Sequence, residues 1–105
     1  MTQFTVYKNK NPRSKATYPL LVDAQADLLD DLQTRLVIPL TKVAALTKKP
    51  IARLTPSIEI GGEQYLLMTP QLAGIARSEL GPTVGNVADQ RDMIVSALDL
   101  LITGT

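Results

Sequence analysis

Apolar residues in the first two-thirds of the chain occur in short runs, several of which alternate with polar residues, and this pattern predicts β-strands. The runs are rich in β-branched and aromatic residues, as strands usually are. A Gly-Gly pair at 61–62 separates two of them, which is a strong hairpin signal. Residues 72–80 give a weaker signal, which fits either a short strand or a turn leading to Gly81-Pro82. The predicted strands are Gln3–Tyr7, Tyr18–Asp23, Arg35–Leu40 (its ladder interrupted at Pro39), Ser57–Ile60 and Gln64–Thr69.

From Asn86 onwards the apolar residues recur at helical spacing. Asn86 is a suitable N-cap, and Gly104 is placed to end the helix. At about 100° per residue, one side of this helix carries Val87, Ile94, Ala97, Leu98 and Leu101, centred near Leu101. The opposite side carries a narrow polar stripe of Asp92, Ser96, Asp99 and Thr103. The chain is therefore predicted to be one α+β domain over 1–105, with an antiparallel, partly barrel-like sheet and a C-terminal helix.

The composition excludes several classes of chemistry. The 105 residues include no Cys and no His, which removes disulfides, thiolate catalysis, Cys-built zinc sites and the commonest metal ligand. We therefore expect no cofactor, no metal and no catalytic residue. The longest apolar stretch, Met93–Ile102, is too short to span a bilayer and is interrupted by polar residues. The start of the chain has no apolar run typical of a signal peptide, so a cytoplasmic location without membrane contact is expected.

The formal net charge of +1 conceals an uneven distribution of charge. Residues 1–22 contain basic residues and no acidic ones, whereas the predicted helix stripe is acidic. Runs of charge are most often solvated loops, but they also serve as contacts for partners of opposite charge. The sequence leaves both interpretations open for the basic loop, which consists of Lys8, Lys10, Arg13 and Lys15.

Segments along the whole chain resemble one known family. The most specific are Val-Asp-x-Gln-x-Asp at 22–27 and Arg-x-Val-Ile-Pro-Leu at 35–40. The start at 3–7, Pro56-x-Ile58-x-Ile60, Leu67-Met68-Thr69, the turn at 72–75 and the final Thr103-Gly104-Thr105 follow in the same order. Together these segments resemble CcdB, the toxin of CcdA/CcdB addiction modules.

The resemblance implies a homodimer of SH3-like barrel subunits, each with a small extra β-sheet and a C-terminal helix. It implies that the dimer binds the A subunit of DNA gyrase and traps the enzyme at the cleaved-DNA stage. The toxin itself then needs no catalysis. A CcdA-like antitoxin would neutralise it with a disordered, acidic segment, for which the basic loop is the candidate contact. The toxin–antitoxin pair would repress its own operon, so DNA is contacted only through that complex.

Carried over residue by residue, the resemblance also implies a gyrase-binding site. Its members are Leu28, Leu29, Asp92, Ser96, Asp99, Thr103, Gly104 and Thr105. The chain departs from the family at several positions. A well-known member has Trp in place of Thr103 and Ile in place of Thr105, Asp99 replaces an amide, and the family's Val-Pro-Val reads Ile75-Ala76-Arg77.

Two alternatives stay open at this point. Endoribonuclease toxins of the MazF/Kid type share the SH3-like fold, so fold alone does not decide between the two activities. Such an enzyme would use arginine as an electrophile, with Arg35 and Arg53 as the first candidates. The substitutions at Thr103 and Thr105 also suit a non-toxic relative that only binds partners.

Overall fold

The computed structural model describes residues 2–43 and 52–104. In these ranges it contains seven strands, one α-helix and several short 3₁₀ turns. The strands are β1 Thr5–Asn9, β2 Leu20–Asp23, β3 Thr34–Lys42, β4 Ser57–Ile60, β5 Glu63–Leu67, β6 Ala73–Ala76 and β7 Leu80–Asn86. The helix α1 spans Arg91–Thr103, and 3₁₀ turns occupy Asp27–Leu29, Thr69–Gln71, Arg77–Glu79 and Ala88–Gln90.

All strands pair antiparallel in the order β4-β5-β3-β2-β1-β7, and β6 pairs with β3. The long strand β3 changes neighbour along its length: Thr34–Val37 pairs with β6, and Leu40–Lys42 pairs with β5. Pro39, which has no N–H to donate, lies between these two pairings. The curled sheet forms a half-barrel, and with α1 it confirms the predicted α+β, SH3-like fold. In the described residues all seven strands belong to one sheet, in which β6 lies off the main strand order and pairs with β3.

The larger core lies between one face of the sheet and α1. Val6, Val22 and Ile38 on the sheet and Ile94 on the helix are fully buried and belong to this cluster. Burial of apolar side chains of this size is the main favourable term in folding. Phe4 and Tyr65 also belong to this core. Leu101 points to the same side of α1 but is exposed, so the packed part of the helix is centred on Ile94 and Ala97 rather than near Leu101.

The start of the helix differs from the prediction. Asn86 ends β7 and is not the N-cap of α1; its Oδ1 accepts a hydrogen bond from the N–H of Ala88 at 2.8 Å, in the preceding 3₁₀ turn. Gln90 is the N-cap residue of α1. Val87, predicted to lie on the helix, precedes it and is buried in the core. An asparagine side chain can cap any turn that has free N–H groups, not only an α-helix. For this reason the sequence predicted the start of α1 too early.

The opposite face of the sheet is covered as well. Tyr7, Leu21, Val37 and Leu80 form a second buried cluster there. As a result, all four residues of β2 are buried, although strands with one solvated face usually alternate. In the parts of the chain that the structure describes, no helix is long and apolar enough to cross a membrane.

Candidate functional site

The polar side of α1 carries the helix stripe, which we define as Asp92, Ser96, Asp99 and Thr103. Asp92, Asp99 and Thr103 are exposed and Ser96 is half-buried. The Ser96 Oγ accepts a hydrogen bond from the Nε of Arg53 at 2.9 Å, and the Thr103 Oγ1 donates to the Asp99 carbonyl at 2.7 Å. The stripe therefore presents two carboxylates to solvent, Asp92 in the first turn of α1 and Asp99 near its C-terminal end.

The surface around the helix stripe is partly apolar. A shallow cavity of about 290 Å³ borders it, and the exposed Met93 lies at its rim. Beyond the stripe, Ile102 is 71% exposed. Ile102 lies in the last turn of α1, past the part of the helix that packs on the sheet. The cavity is lined by Ala52, Arg53, Pro56, Asp92, Met93 and Ser96.

Gly104 ends the helix, as predicted. Its backbone is left-handed, with φ 76°, and its N–H donates to the carbonyl of Leu100 at 3.0 Å. This conformation strains residues with a Cβ, so glycine suits the position. Thr105, the last residue of the predicted gyrase site, lies outside the described residues.

Leu28 and Leu29 belong to a separate segment, the 3₁₀ turn Asp27–Leu29, which we call the Leu28 turn. Leu28 is 94% exposed, and Leu29 is also exposed. The backbone beneath them is nevertheless fixed, because the buried Gln25 donates from Nε2 to the Leu29 carbonyl at 2.7 Å. The same side chain accepts from the N–H of Leu36 at 3.1 Å, which ties the turn to β3.

Two further leucines extend this apolar surface. Leu32 and Leu36 are exposed in the segment that follows the Leu28 turn. Sequence reasoning missed Leu36 because Arg35–Leu40 reads as a buried run. Strand alternation supplies the missing signal, since Leu36 must face away from its buried neighbours Arg35 and Val37.

Arg35 is buried on the face of the sheet that carries the second buried cluster, opposite to α1. Its Nε and Nη2 donate to Asp23 Oδ2 at 2.9 and 2.6 Å, and its Nη1 donates to Asp30 Oδ1 at 3.0 Å. Arg35 and Asp23 are fully buried. On the same face, burial raises the pKa of Tyr7, and the negative charge of Asp23 raises it further. The guanidinium is thus committed to carboxylates and closed to a substrate.

The basic loop forms a third region, at the end of β1 and in the connection to β2. Its Lys8, Lys10, Arg13 and Lys15 are exposed. The loop backbone is ordered around Asn11, whose side chain accepts from the N–H of Arg13 at 2.9 Å and whose carbonyl accepts from the N–H of Lys15 at 2.9 Å. A cavity of about 160 Å³ with an apolar floor that includes Leu21, Val37 and Ile75 opens beside the loop.

These three regions all lie within one family match. The model of the CcdB protein family matches residues 3–104. The chain belongs to the CcdB family. Membership assigns this CcdB chain to the toxins of toxin–antitoxin modules, as the sequence segments predict.

Among solved structures, this chain is similar to an endoribonuclease in complex with its cognate antitoxin from a mycobacterial species. The TM-score is 0.70, the sequence identity is 14%, and the match covers 94% of this chain and 91% of that one. At this identity the likeness establishes a shared fold. The target of the toxin has to be argued from the surfaces themselves.

Proposed function

We propose that this CcdB-family toxin binds the A subunit of DNA gyrase and traps the complex in which gyrase has cleaved DNA. The observation that carries the proposal is the helix stripe, which presents the predicted contact residues on the exposed side of α1. The toxin contributes no chemistry in this mechanism. Gyrase cuts the DNA, and bound toxin prevents it from resealing the break.

The composition of this surface suits a protein partner. Asp92 and Asp99 offer charges that complement a basic surface and steer association. Thr103 stands where a well-known family member has Trp. It has no aromatic ring, so it lacks the contact area that dominates many interfaces, and its hydroxyl bonds to the Asp99 carbonyl. The exposed Met93 and Ile102 provide apolar area in its place.

The decisive experiment incubates the purified toxin with gyrase and supercoiled DNA, followed by detergent and protease. We expect linear DNA. Asp99→Lys reverses a charge within the helix stripe and should lower cleavage at least tenfold, whereas Asp89→Lys makes the same change outside it and should leave cleavage near the wild-type level. Untouched gyrase activity without linear DNA would refute the proposal. Cleavage that survives removal of Gly104 and Thr105 from a folded protein would refute the site.

We also propose that a CcdA-like antitoxin binds the basic loop. An acidic amphipathic segment matches both the exposed charges and the apolar cavity beside them. Lys10→Glu combined with Arg13→Glu should weaken antitoxin binding by more than tenfold and slow association most. Lys42→Glu, at the end of β3, is the matched control. Equal affinities in both proteins would contradict this assignment.

The active form is proposed to be a homodimer that contacts operator DNA only together with its antitoxin. Sedimentation equilibrium should give twice the 11.4 kDa chain mass. Operator binding should require the antitoxin. A monomer that poisons gyrase fully would contradict the dimer.

An endoribonuclease is the second candidate, favoured by the likeness to a structure of that activity. Arg35 does not suit an endoribonuclease, because its guanidinium is paired with the buried carboxylate of Asp23 and the half-buried carboxylate of Asp30. Arg53 is exposed and hydrogen-bonded to Ser96, so it is the residue to test. Long RNA should stay intact with the wild-type protein; cleavage that disappears in Arg53→Ala would favour this candidate over gyrase poisoning.

A further inference from the structure

Asp30, which directly follows the Leu28 turn, forms ion pairs with two arginines. Asp30 Oδ1 lies 3.0 Å from Arg35 Nη1 and 3.5 Å from Arg77 Nη2. Arg35 approaches from the buried side of the sheet, while the Asp30 and Arg77 side chains are 40% and 35% exposed. The carboxylate therefore links the interior to the surface at the end of the turn.

Arg77 holds the same segment at further points. Its Nη1 is 3.5 Å from the carbonyl of Leu32, and its backbone N–H donates to the carbonyl of Gln33 at 3.2 Å. The backbone bond continues the pairing of β6 with β3, in which Ala76 faces Thr34. One arginine thus contacts the chain at residues 30, 32 and 33, across the connection between the Leu28 turn and β3.

Arg77 is also a departure from the family pattern, where the corresponding position is the last valine of Val-Pro-Val. A valine side chain has no donor for a carboxylate or a carbonyl. The clamp formed by Asp30, Arg77 and the Leu32 carbonyl therefore depends on a side chain that the family pattern does not supply.

We propose that Arg77 is a positioning residue for partner binding through the Leu28 turn. Arg77 fixes the connection between the Leu28 turn and β3. Leu28 is therefore held in one orientation before the partner binds. The proposal rests on the assignment of Leu28 to the gyrase contact. Preorganisation of this kind strengthens binding because less conformational freedom is lost in the complex. A partly exposed ion pair adds little to global stability, so the effect should appear in binding and local order.

The first test needs no partner. Amide hydrogen exchange of Leu29, Asp30 and Leu32, whose N–H groups bond within the turn, is compared between the wild type and Arg77→Gln. We expect exchange about three- to tenfold faster in the variant, with an unchanged unfolding midpoint. Arg13→Gln, which removes an exposed arginine from the basic loop, should change neither quantity. Unchanged exchange in Arg77→Gln would overturn the proposal whatever the target of the toxin.

The second test measures affinity for the gyrase A subunit. Arg77→Gln should weaken binding about two- to tenfold, and Arg77→Lys should recover part of the loss because it keeps the charge opposite Asp30. In a Leu28→Ala background, Arg77→Gln should have no further effect, since Arg77 acts through Leu28. An equal loss in both backgrounds would mean that Arg77 contacts gyrase directly, which overturns the positioning role. If the wild type does not bind gyrase, the proposed function fails, and the exchange measurement still decides whether Arg77 holds the turn.

Discussion

Replacing Arg35 by Met tests the central electrostatic feature of the fold. The substitution removes the hydrogen bonds to Asp23 and Asp30 and leaves the fully buried Asp23 carboxylate opposite an apolar side chain. Breaking a buried pair from one side typically costs about 3–5 kcal/mol. Because domains of this size unfold with a total of about 5–15 kcal/mol, the variant should lose a large part of its stability.

The assay is urea unfolding at one fixed protein concentration, since the stability of an oligomer depends on concentration. We expect a lower midpoint with the same slope, and a fall in Tm of about 15–30 °C. Arg53→Met is the matched control, because Arg53 is exposed and its removal should change the free energy of unfolding by about 0.5 kcal/mol or less.

The double variant Arg35→Met/Asp23→Asn measures the coupling between the two residues of the ion pair. Neutralising Asp23 removes the uncompensated charge while keeping an oxygen for the N–H of Gln25, which Asp23 Oδ1 accepts at 2.9 Å. The double variant should therefore be more stable than the sum of the two single losses implies. Additive losses, or a loss below about 1 kcal/mol for Arg35→Met, would refute the reasoning.

Two smaller perturbations test how the sheet edges are held. Gly81→Ala places a Cβ 2.6 Å from the Lys8 carbonyl oxygen, so it should lower the free energy of unfolding by about 1–3 kcal/mol in a urea titration. In the control Gly85→Ala, in the same strand, the new Cβ meets nothing within 4 Å, so this variant should be neutral or slightly stabilising. Equal effects of the two substitutions would contradict the close approach of Gly81 to Lys8. Gln90→Ala removes the side chain that accepts from the Glu59 N–H at 2.9 Å and donates to its carbonyl at 2.8 Å, so it should cost about 1 kcal/mol and speed exchange of the Glu59 amide. Unaltered exchange there would show that Gln90 does not protect this edge strand.

The local signals in the sequence predicted most of the elements. The Gly61-Gly62 hairpin is present, with both glycines at positive φ, because this turn needs a conformation that glycine adopts without strain. Alternation predicted β1, and short apolar runs predicted β2 and β3, each to within a few residues. The start of the helix was predicted too early, because the Asn86 side chain caps the 3₁₀ turn before α1 instead of α1 itself.

Features that depend on several elements at once could not be predicted. The ion pair between Arg35 and Asp23 requires β2 and β3 to be adjacent, in a register that no local pattern specifies. The role of Arg77 depends in the same way on the pairing of β6 with β3. The helix stripe, in contrast, was predicted from residue spacing alone, because α-helical periodicity is a property of a single segment. Leu28 was identified through the family resemblance, and its degree of exposure became known only from the structure.

The pairing of β1 with β7 has a consequence for synthesis. Thr5 lies opposite Asn86, 81 residues further along the chain, and β1 also pairs with β2 in the middle of the sheet. Such non-local pairing slows folding, and a domain can complete it only after the later strand has left the ribosome. The nascent chain therefore cannot complete its sheet, or dock α1 on it, until β7 and α1 have left the ribosome. Every surface that the folded sheet and helix create together, including the helix stripe, therefore forms only after the last strand has been made.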